Sequence, residues 1–333
     1  MAEFVSSFIT GFGKIIAKSL PSILKGVKIT NIYDGMIRYS YHGNPSDIKK
    51  VVFFNNSYFV IHFYQGKQIA FDRMVTDACL GKSRYMMMEG TFRIRFSKSN
   101  QFAKVDRRLS VKAENAVTKQ TRLKIDRLNP TTELWYIIRN EGFGFYGQLL
   151  EKRVATEKNL HKGELRPELA YLMCCCCDWK ENLNVMDPFA GFGAIPLQIS
   201  KSFRFSQLIV NDMDESKVRK LQQLFPAKNT RVRVTCCDAL NLTRVAGESV
   251  DTIITDPPWG FFDEIDDIVA FYENMLVEFK RVLKSSGSVV LLSARKREFI
   301  EAIEHSSCFQ LGDTIDTLVN GKKAAIYLLR PLS

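Results

Sequence analysis

The stretch Asp187-Pro188-Phe189-Ala190-Gly191-Phe192-Gly193 decides the fold, because it joins a short apolar strand at residues 183–186 to a helical stretch at residues 194–200. Glycines in such a turn let backbone amides approach a ligand without an intervening Cβ atom. A pyrophosphate-binding turn would carry G-x-G-x-x-G, whereas this one has only Gly191-Phe192-Gly193 after the aspartate. The turn therefore suits a nucleoside without a pyrophosphate better than a dinucleotide.

Three more strand-like runs in the second half of the chain each end at an aspartate. Helical runs separate them, and such alternation is typical of parallel βαβ units with helices on both faces of one sheet. Open parallel sheets bind ligands at the carboxyl ends of their strands, near the point where the strand order reverses. We therefore expect a ligand site there, with Asp212 placed for the hydroxyls of a ribose and Asp238 for the amine of an adenine. The three runs and their acids are residues 208–210 with Asp212, residues 231–235 with Asp238, and residues 250–255 with Asp256.

The end of the chain departs from this alternation. Residues 288–292 indicate a fifth parallel strand. Residues 309–319 and 324–329 are joined by Asn320-Gly321, which is a strong signal for a tight hairpin. The sequence thus predicts an α/β fold with a Rossmann-like sheet that ends in a C-terminal antiparallel hairpin.

The strongest chemical signal is Asp256-Pro257-Pro258-Trp259, directly after the strand at residues 250–255. Two prolines end the strand and donate no backbone hydrogen bonds. Their carbonyl groups and the Asp256 carboxylate therefore form a cluster of acceptors beside the flat ring of Trp259. Such a cluster suits the exocyclic amine of a nucleobase, because hydrogen bonds from its N–H groups favour the pyramidal amine, whose lone pair can attack.

The first half of the chain differs in charge and in pattern. Residues 1–160 hold 26 Lys and Arg against 13 Asp and Glu, while residues 161–333 hold 21 against 23. Short alternating runs, among them residues 51–54 and 68–71, and a helical run at residues 109–119 predict an α+β region. A basic region joined to a near-neutral one indicates that the first half holds a polyanion, for which a nucleic acid is the usual candidate.

The composition argues against a secreted, disulfide-bonded or membrane-spanning chain. With 333 residues the chain is long enough for about two domains, and no stretch approaches the roughly 20 apolar residues of a membrane span. The start lacks a basic leader followed by an apolar run. Neighbouring thiols in Cys174–Cys177 and Cys236-Cys237 cannot join distant loops, and the first run lacks the second pair that a four-ligand metal site needs. We therefore expect reduced thiols, no bound metal and a cytoplasmic protein.

The two motifs together resemble those of class I S-adenosylmethionine-dependent methyltransferases that act on amino groups of bases. Within that class the sequence is similar to the THUMP-containing tRNA guanosine-N2 methyltransferases. Residues 163–170 (Gly-Glu-Leu-Arg-Pro-Glu-Leu-Ala) resemble the entry helix of that subgroup, and residues 255–260 resemble its T-D-P-P-Y-G with Trp259 in place of Tyr. Weaker signals of a THUMP module are Phe92-Arg93-Ile94-Arg95, Asn129-Pro130 and Tyr146-Gly147.

The resemblance implies that S-adenosylmethionine is the cofactor and that the exocyclic N2 amine of a guanosine in tRNA is methylated. The implied catalytic residues are Asp256, Pro257, Pro258 and Trp259. The implied cofactor-binding residues are Asp187, Pro188, Phe189, Ala190, Gly191, Gly193, Asp212, Met213, Asp238 and Ala239. The implied RNA-binding residues of the basic half are Arg93, Arg95, Lys98, Lys104, Arg107, Arg108, Lys112, Lys119, Arg122, Lys124 and Arg127.

The composition, the patterns and the resemblance together predict four segments, and two other functions remain open. Because D-P-P-W also occurs in adenine-N6 methyltransferases, methylation of adenine N6 in RNA or DNA is one alternative. A non-catalytic RNA-binding subunit that kept the fold is the other, and a small activator subunit is a partner on which the sequence is silent. The segments are a ferredoxin-like α+β module at residues 1–75, a THUMP-like RNA-binding module at residues 76–151, a linker at residues 152–164 and the methyltransferase domain at residues 165–333.

Overall fold

The structure, a computed structural model, describes residues 2–66, 68–152, 160–161, 163–261 and 265–332. Its contacts divide the chain into two units, residues 1–8 with 16–154 and residues 9–15 with 155–333. Most of the linker predicted at residues 152–164 lies outside the described residues. Among the residues that are described, no helix is both long and apolar enough to cross a membrane.

The first unit alternates short helices with strands. Its elements in chain order are β1 (Glu3–Ser7), α1 (Gly13–Ile23), β2 (Lys28–Tyr33), β3 (Met36–Ser40), α2 (Pro45–Ile48), β4 (Asn56–Gln65), α3 (Phe71–Leu80), β5 (Glu89–Lys98), β6 (Gln101–Phe102), α4 (Arg107–Gln120), β7 (Arg122–Ile125), β8 (Thr132–Ile138) and β9 (Phe143–Lys152).

Within the described part of this unit, nine strands form one sheet in the order β2-β3-β1-β4-β9-β8-β5-β6, with β7 paired to β5. The first six elements follow the βαββαβ order of a ferredoxin-like fold. The α+β class expected from the sequence is confirmed. The predicted boundary between residues 75 and 76 lies inside α3, so the structure has no linker at that position. The division into a ferredoxin-like and a THUMP-like module stays a prediction.

Two strands expected in this unit are wrong. Residues 51–54 form turns whose apolar side chains are mostly buried. Residues 68–70 form a loop before α3, in which buried Met74, Val75 and Ala78 recur at helical spacing. Both runs match the strand pattern. The first instead buries its apolar side chains from a turn, and the second leads into a helix.

The second unit continues the strand–helix alternation. Its elements are α5 (Pro167–Cys175), β10 (Asn184–Asp187), α6 (Ala194–Ser202), β11 (Gln207–Asp212), α7 (Glu215–Leu224), β12 (Val232–Cys236), β13 (Val250–Thr255), α8 (Ile268–Val282), β14 (Leu283–Ser293), α9 (Lys296–Ser306), β15 (Phe309–Val319) and β16 (Lys322–Pro331).

The sheet of the second unit has the order β12-β11-β10-β13-β14-β16-β15, with β10 to β14 parallel and β16 antiparallel to both neighbours. Asn320 and Gly321 form the hairpin turn with φ of 50° and 80°, as their dipeptide predicts. Helix α9 was not expected; its buried Phe299, Ala302 and Ile303 belong to the core beneath α8. The predicted Rossmann-like sheet with a C-terminal antiparallel hairpin is confirmed.

Candidate active site

The loops after β10, β11, β12 and β13 leave the parallel part of the sheet at its carboxyl edge. β10 lies between β11 and β13, so the chain turns away from β10 in opposite directions on its two sides. Open parallel sheets bind ligands at such a switch point. The predicted site residues therefore lie on loops at this edge of the sheet, and hydrogen bonds connect these loops.

The glycine turn after β10 is closed by backbone N–H groups. The N–H of Ala190 donates to the Asn211 carbonyl at 2.8 Å, and that of Gly193 donates to the Ala190 carbonyl at 2.7 Å. The N–H of Gly191 donates to Asp212 Oδ2 at 2.8 Å. Gly191 and Gly193 have φ of 55° and 87°, which residues with a Cβ rarely adopt. A Cβ on Gly191 would meet no described atom within 4 Å, so the space beside this glycine is open.

Asp187 lies beneath this turn with 1% of its surface exposed. Its Oδ1 accepts hydrogen bonds from Thr255 Oγ1 at 2.8 Å and from the N–H of Phe189 at 3.2 Å. Burial raises the pKa of Asp187 to about 7, although both hydrogen bonds oppose the shift. The ring of Phe189 packs against that of Phe271, with centroids 6.0 Å apart. These two predicted cofactor residues thus support the turn from the protein interior.

Asn211 is a site residue that sequence reasoning missed. It is fully buried, and its Nδ2 donates to the carbonyls of Pro188 at 3.1 Å and Cys237 at 2.9 Å. Its Oδ1 accepts from the Thr235 hydroxyl at 2.8 Å. Asn211 therefore ties the loops after β10 and β12 to the end of β11. The sequence signal that could have identified it is its position directly before Asp212 at the end of a predicted strand. A polar side chain that is buried at such a position needs hydrogen-bond partners.

Asp212 and Asp238 lie just at or beyond the ends of β11 and β12, as predicted. Asp212 Oδ1 accepts from the N–H of Asp214 at 2.9 Å, so each of its oxygens holds a backbone amide. Asp238 is exposed, and the adjacent Ala239 is buried. The side chain of Met213 is 70% exposed. Each carboxylate oxygen can accept a second hydrogen bond, so the acids remain able to bind a hydroxyl or an amine.

The loop Asp256-Pro257-Pro258-Trp259 follows β13, and the Trp259 indole turns back onto the acid. Its Nε1 donates to Asp256 Oδ1 at 2.9 Å. Burial raises the pKa of Asp256 well above its ordinary value; the bond from Trp259 opposes this shift and the nearby Asp187 carboxyl adds to it. Asp256 is therefore an acceptor with one oxygen fixed in place and a raised affinity for a proton.

Four of the predicted RNA-binding residues line a surface concavity of about 840 Å³ in the first unit. Lys82, which was not predicted, lines it as well, and Asp106 also belongs to its lining. Clustered cations of this kind attract a polyanion. The four predicted residues of this concavity, called the basic groove below, are Arg107, Arg108, Lys112 and Lys119.

The other predicted RNA-binding residues do not line the basic groove, and three of them pair with carboxylates. The guanidinium of Arg95 lies over the ring of Phe102, 5.3 Å from its centroid. Lys98, Lys104 and Lys124 are exposed. The three pairs are Arg93 with Glu133, Arg122 with Glu89, and Arg127 with Glu114.

Two cysteines of the second unit belong to the protein interior, and the other five are partly exposed. Cys174 and Cys177 are buried, and burial raises the pKa of the Cys174 thiol, with neighbouring thiols adding to the shift. In the described ranges, no group of three or more His, Cys, Asp and Glu side chains is arranged to hold a metal ion.

Comparison with known proteins defines the class of the second unit. Residues 155–200 and 207–313 match the family model described as the RMKL-like methyltransferase domain. The crystal structure of TrmN from Thermus thermophilus superposes with a TM-score of 0.81 and 17% sequence identity, covering 100% of both chains. The fold is that of a class I methyltransferase.

Two curated relatives narrow this class. U6 snRNA (guanine-N(2))-methyltransferase THUMPD2 of Bos taurus is 27% identical over 185 residues, which are 53% of this chain and 35% of that protein. The tRNA (guanine(6)-N2)-methyltransferase of Thermus thermophilus is 24% identical over 211 residues, which are 62% of this chain and 63% of that protein. The chain thus spans less than two thirds of the length of either relative. The resemblance to the THUMP-containing guanosine-N2 methyltransferases is confirmed.

Proposed function

We propose that the protein is an S-adenosylmethionine-dependent RNA methyltransferase that methylates the exocyclic N2 amine of a guanosine in tRNA. One observation carries this proposal: the Asp256 carboxyl and the proline carbonyls stand at the switch point of the sheet, at the end of the strand that neighbours the open glycine turn. The glycine turn suits a nucleoside-containing cofactor, and the acceptors of the Asp256 loop suit the amine of a base.

The residues around the glycine turn fit the cofactor. The space beside Gly191, where a Cβ would meet no described atom within 4 Å, allows a ligand to approach the backbone. Asp212 would bind the ribose hydroxyls, Asp238 the adenine amine, and the exposed Met213 side chain would cover the apolar part of the nucleoside. When bound, S-adenosylmethionine supplies an electrophilic methyl group on a positively charged sulfur.

Asp256 and Pro257 would hold the amine that attacks this methyl group. Because Oδ1 of Asp256 already accepts from Trp259, its Oδ2 and the Pro257 carbonyl are the acceptors that we assign to the two N–H groups of the base. The methylated nitrogen would have to lose a proton, and the raised pKa of Asp256 suits this carboxylate to receive that proton. Orientation and charge placement supply the rate enhancement.

The substrate assignment rests on the relatives and on charge. One relative is named for guanine 6 of tRNA and the other for U6 snRNA. We choose tRNA and assign the basic groove to its phosphates, which position an RNA without specifying its sequence. A ferredoxin-like module at residues 1–75, a THUMP-like module at residues 76–151 and a location in the cytoplasm are parts of the same proposal.

Methyl transfer by the purified protein tests the proposal. Incubation with a tRNA transcript and labelled cofactor should incorporate label, and Asp256→Ala should lower kcat by a factor of 100 or more, since a lost transition-state acceptor typically has effects of roughly this size. The matched control is Asp266→Asn, which alters an exposed carboxylate. Cofactor affinity measured by calorimetry should be equal in all three proteins. An Asp256→Ala variant as active as the wild type would contradict the assignment, and an inactive wild type that binds RNA would favour a non-catalytic RNA-binding subunit.

A further inference from the structure

We propose that Tyr272 and Arg295 are positioning residues that hold the Asp256–Trp259 loop so that the Pro257 carbonyl is the one left for the target amine. This role rests on the proposed function. Neither residue belongs to the motifs that mark the site, and they come from α8 and from the junction between β14 and α9.

Each of the two side chains holds one carbonyl of the loop. The Tyr272 hydroxyl donates to the Pro258 carbonyl at 3.2 Å. Arg295 Nε donates to the Trp259 carbonyl at 2.8 Å. Among the described residues, no donor reaches the carbonyl of Pro257. Of the carbonyls of Pro257, Pro258 and Trp259, the last two are therefore already engaged by the protein.

Ser293 links the two holding residues to each other. Its Oγ lies 3.1 Å from the Tyr272 hydroxyl and accepts from the backbone N–H of Arg295 at 3.0 Å. Tyr272 and Ser293 are both fully buried. A buried hydroxyl that loses its hydrogen-bond partner lowers the stability of the folded state, so these hydrogen bonds favour a single arrangement of the two side chains. The end of β14 is thus fastened to the loop that follows the adjacent β13.

The Arg295 side chain is itself held on two other sides. Its guanidinium lies over the ring of Phe261, 4.4 Å from the centroid, and its Nη1 is 3.4 Å from Glu298 Oε1. The planar guanidinium can make all of these contacts at once because its donors point in fixed directions. Arg295 therefore acts as a rigid strut between helix α9 and the backbone of Trp259.

The consequence reaches Asp256 through the indole. Fixing the Trp259 backbone fixes the ring, whose Nε1 holds Asp256 Oδ1 at 2.9 Å. Loss of either holding residue would let the loop rotate and would present the wrong carbonyl, or a misoriented carboxylate, to the base. Misplacement of a reacting group by about 1 Å can lower a rate by roughly 100-fold, so the effect should fall on kcat.

The test compares Arg295→Gln, Arg295→Lys and Tyr272→Phe with the control Arg297→Gln, which removes an equal charge from an exposed residue two positions further along. We expect kcat on a tRNA transcript to fall at least tenfold for Arg295→Gln. For Tyr272→Phe we expect a fall of about three- to tenfold, the size that corresponds to the net contribution of the lost hydrogen bond to the Pro258 carbonyl. Arg295→Lys should recover part of the rate. The KM for RNA and the Kd for the cofactor should stay within twofold of the wild type. General destabilisation would not lower kcat while leaving both of these constants unchanged.

A readout without turnover separates this proposal from the proposed function. In protein labelled with ¹⁵N-indole, the Trp259 Nε1–H resonance should move in Arg295→Gln and in Tyr272→Phe but not in Arg297→Gln, because only the first two release the loop. An unmoved resonance together with an unchanged kcat would overturn the proposal. If the wild type transfers no methyl group, the proposed function fails, and the indole resonance still decides whether Tyr272 and Arg295 hold the loop.

Discussion

The Asp187 carboxyl accepts a hydrogen bond from the Thr255 hydroxyl at 2.8 Å, and this bond joins the strand that leads into the glycine turn to the strand that leads into Asp256. Both residues are buried. The two chemical motifs of the chain, 68 positions apart in the sequence, thus share a hydrogen bond at their bases. Their relative position is set by the protein interior before any ligand is bound.

Asp187→Asn should reduce the dependence of stability on pH. Burial raises the pKa of Asp187 to about 7, above its ordinary value of 3.8, so the folded state binds the proton more tightly than the unfolded state. The free energy of unfolding therefore falls as the pH rises between these values and levels off above about pH 7. Asparagine keeps an oxygen for Thr255 and does not ionise.

Urea unfolding of the second unit at pH 5 and pH 8 checks this prediction. The wild type should lose about 3 kcal/mol more than Asp187→Asn over this interval, since one pKa unit corresponds to about 1.4 kcal/mol. Asp266→Asn, in an exposed position, should behave as the wild type. Equal pH dependence in all three proteins would show that Asp187 ionises normally.

Alanine substitutions at the two glycines of the turn should have different effects, one on the stability of the fold and the other on cofactor binding. At Gly193, with φ of 87°, a Cβ would lie 3.0 Å from Leu221 Cδ2, so Gly193→Ala should destabilise the unit by roughly 1–3 kcal/mol. At Gly191 the Cβ meets open space, and Gly191→Ala should cost less stability yet raise the cofactor Kd more than tenfold. Thermal unfolding and calorimetry measure the two effects, and a Gly191→Ala protein with wild-type affinity would place the cofactor elsewhere.

Asp212→Ala should weaken cofactor binding at least tenfold. The variant loses the ribose contact and also frees the Gly191 N–H that Asp212 Oδ2 holds at 2.8 Å, and hydrogen bonds to charged groups contribute about 1.5–3 kcal/mol. Asp214→Ala is the control: it removes the cap of α7, which costs about 1 kcal/mol of stability, and leaves Asp212 in place. Calorimetric titration measures the cofactor Kd of the wild type and both variants. Equal Kd values would contradict a role of Asp212 in cofactor binding.

Charge removal in the basic groove should weaken RNA binding without changing cofactor binding. Arg108→Gln combined with Lys112→Gln should raise the KM for a tRNA transcript roughly tenfold or more and should lower the slope of log affinity against log salt by about 2, because each lost phosphate contact removes about 0.9. The control is Lys49→Gln with Lys50→Gln, whose side chains approach Glu151 and Asp47. A salt slope that stays at the wild-type value would exclude the groove as the docking surface.

The parallel sheet could be predicted because its signals are local. β13 and β15 have the bounds expected from their apolar runs, and the Asn320-Gly321 turn follows from a dipeptide preference. The acids at the strand ends followed from the same register. In the first unit, residues 68–71 could not be assigned correctly, because a four-residue run of this kind does not distinguish a strand from the beginning of a helix.

The contacts between loops could not be predicted. The side-chain hydrogen bonds that Asn211, Thr255 and Arg295 make to other loops and strands span at least 23 positions. The spacing of residues in the sequence does not indicate which loops will be in contact. The same holds for the ring of Phe189, which packs towards α8, a contact that the motif alone does not indicate. Tertiary packing decides which contacts the side chains of a motif make.

Identification of the methylated nucleoside tests the central claim most directly. The purified protein is incubated with a tRNA transcript, a U6 snRNA transcript and labelled cofactor, and the digested RNA is analysed by mass spectrometry against nucleoside standards. The predicted result is N2-methylguanosine in the tRNA, formed by the wild type and lost in Asp256→Ala. N6-methyladenosine as the product, or no methylated nucleoside in either RNA, would contradict it.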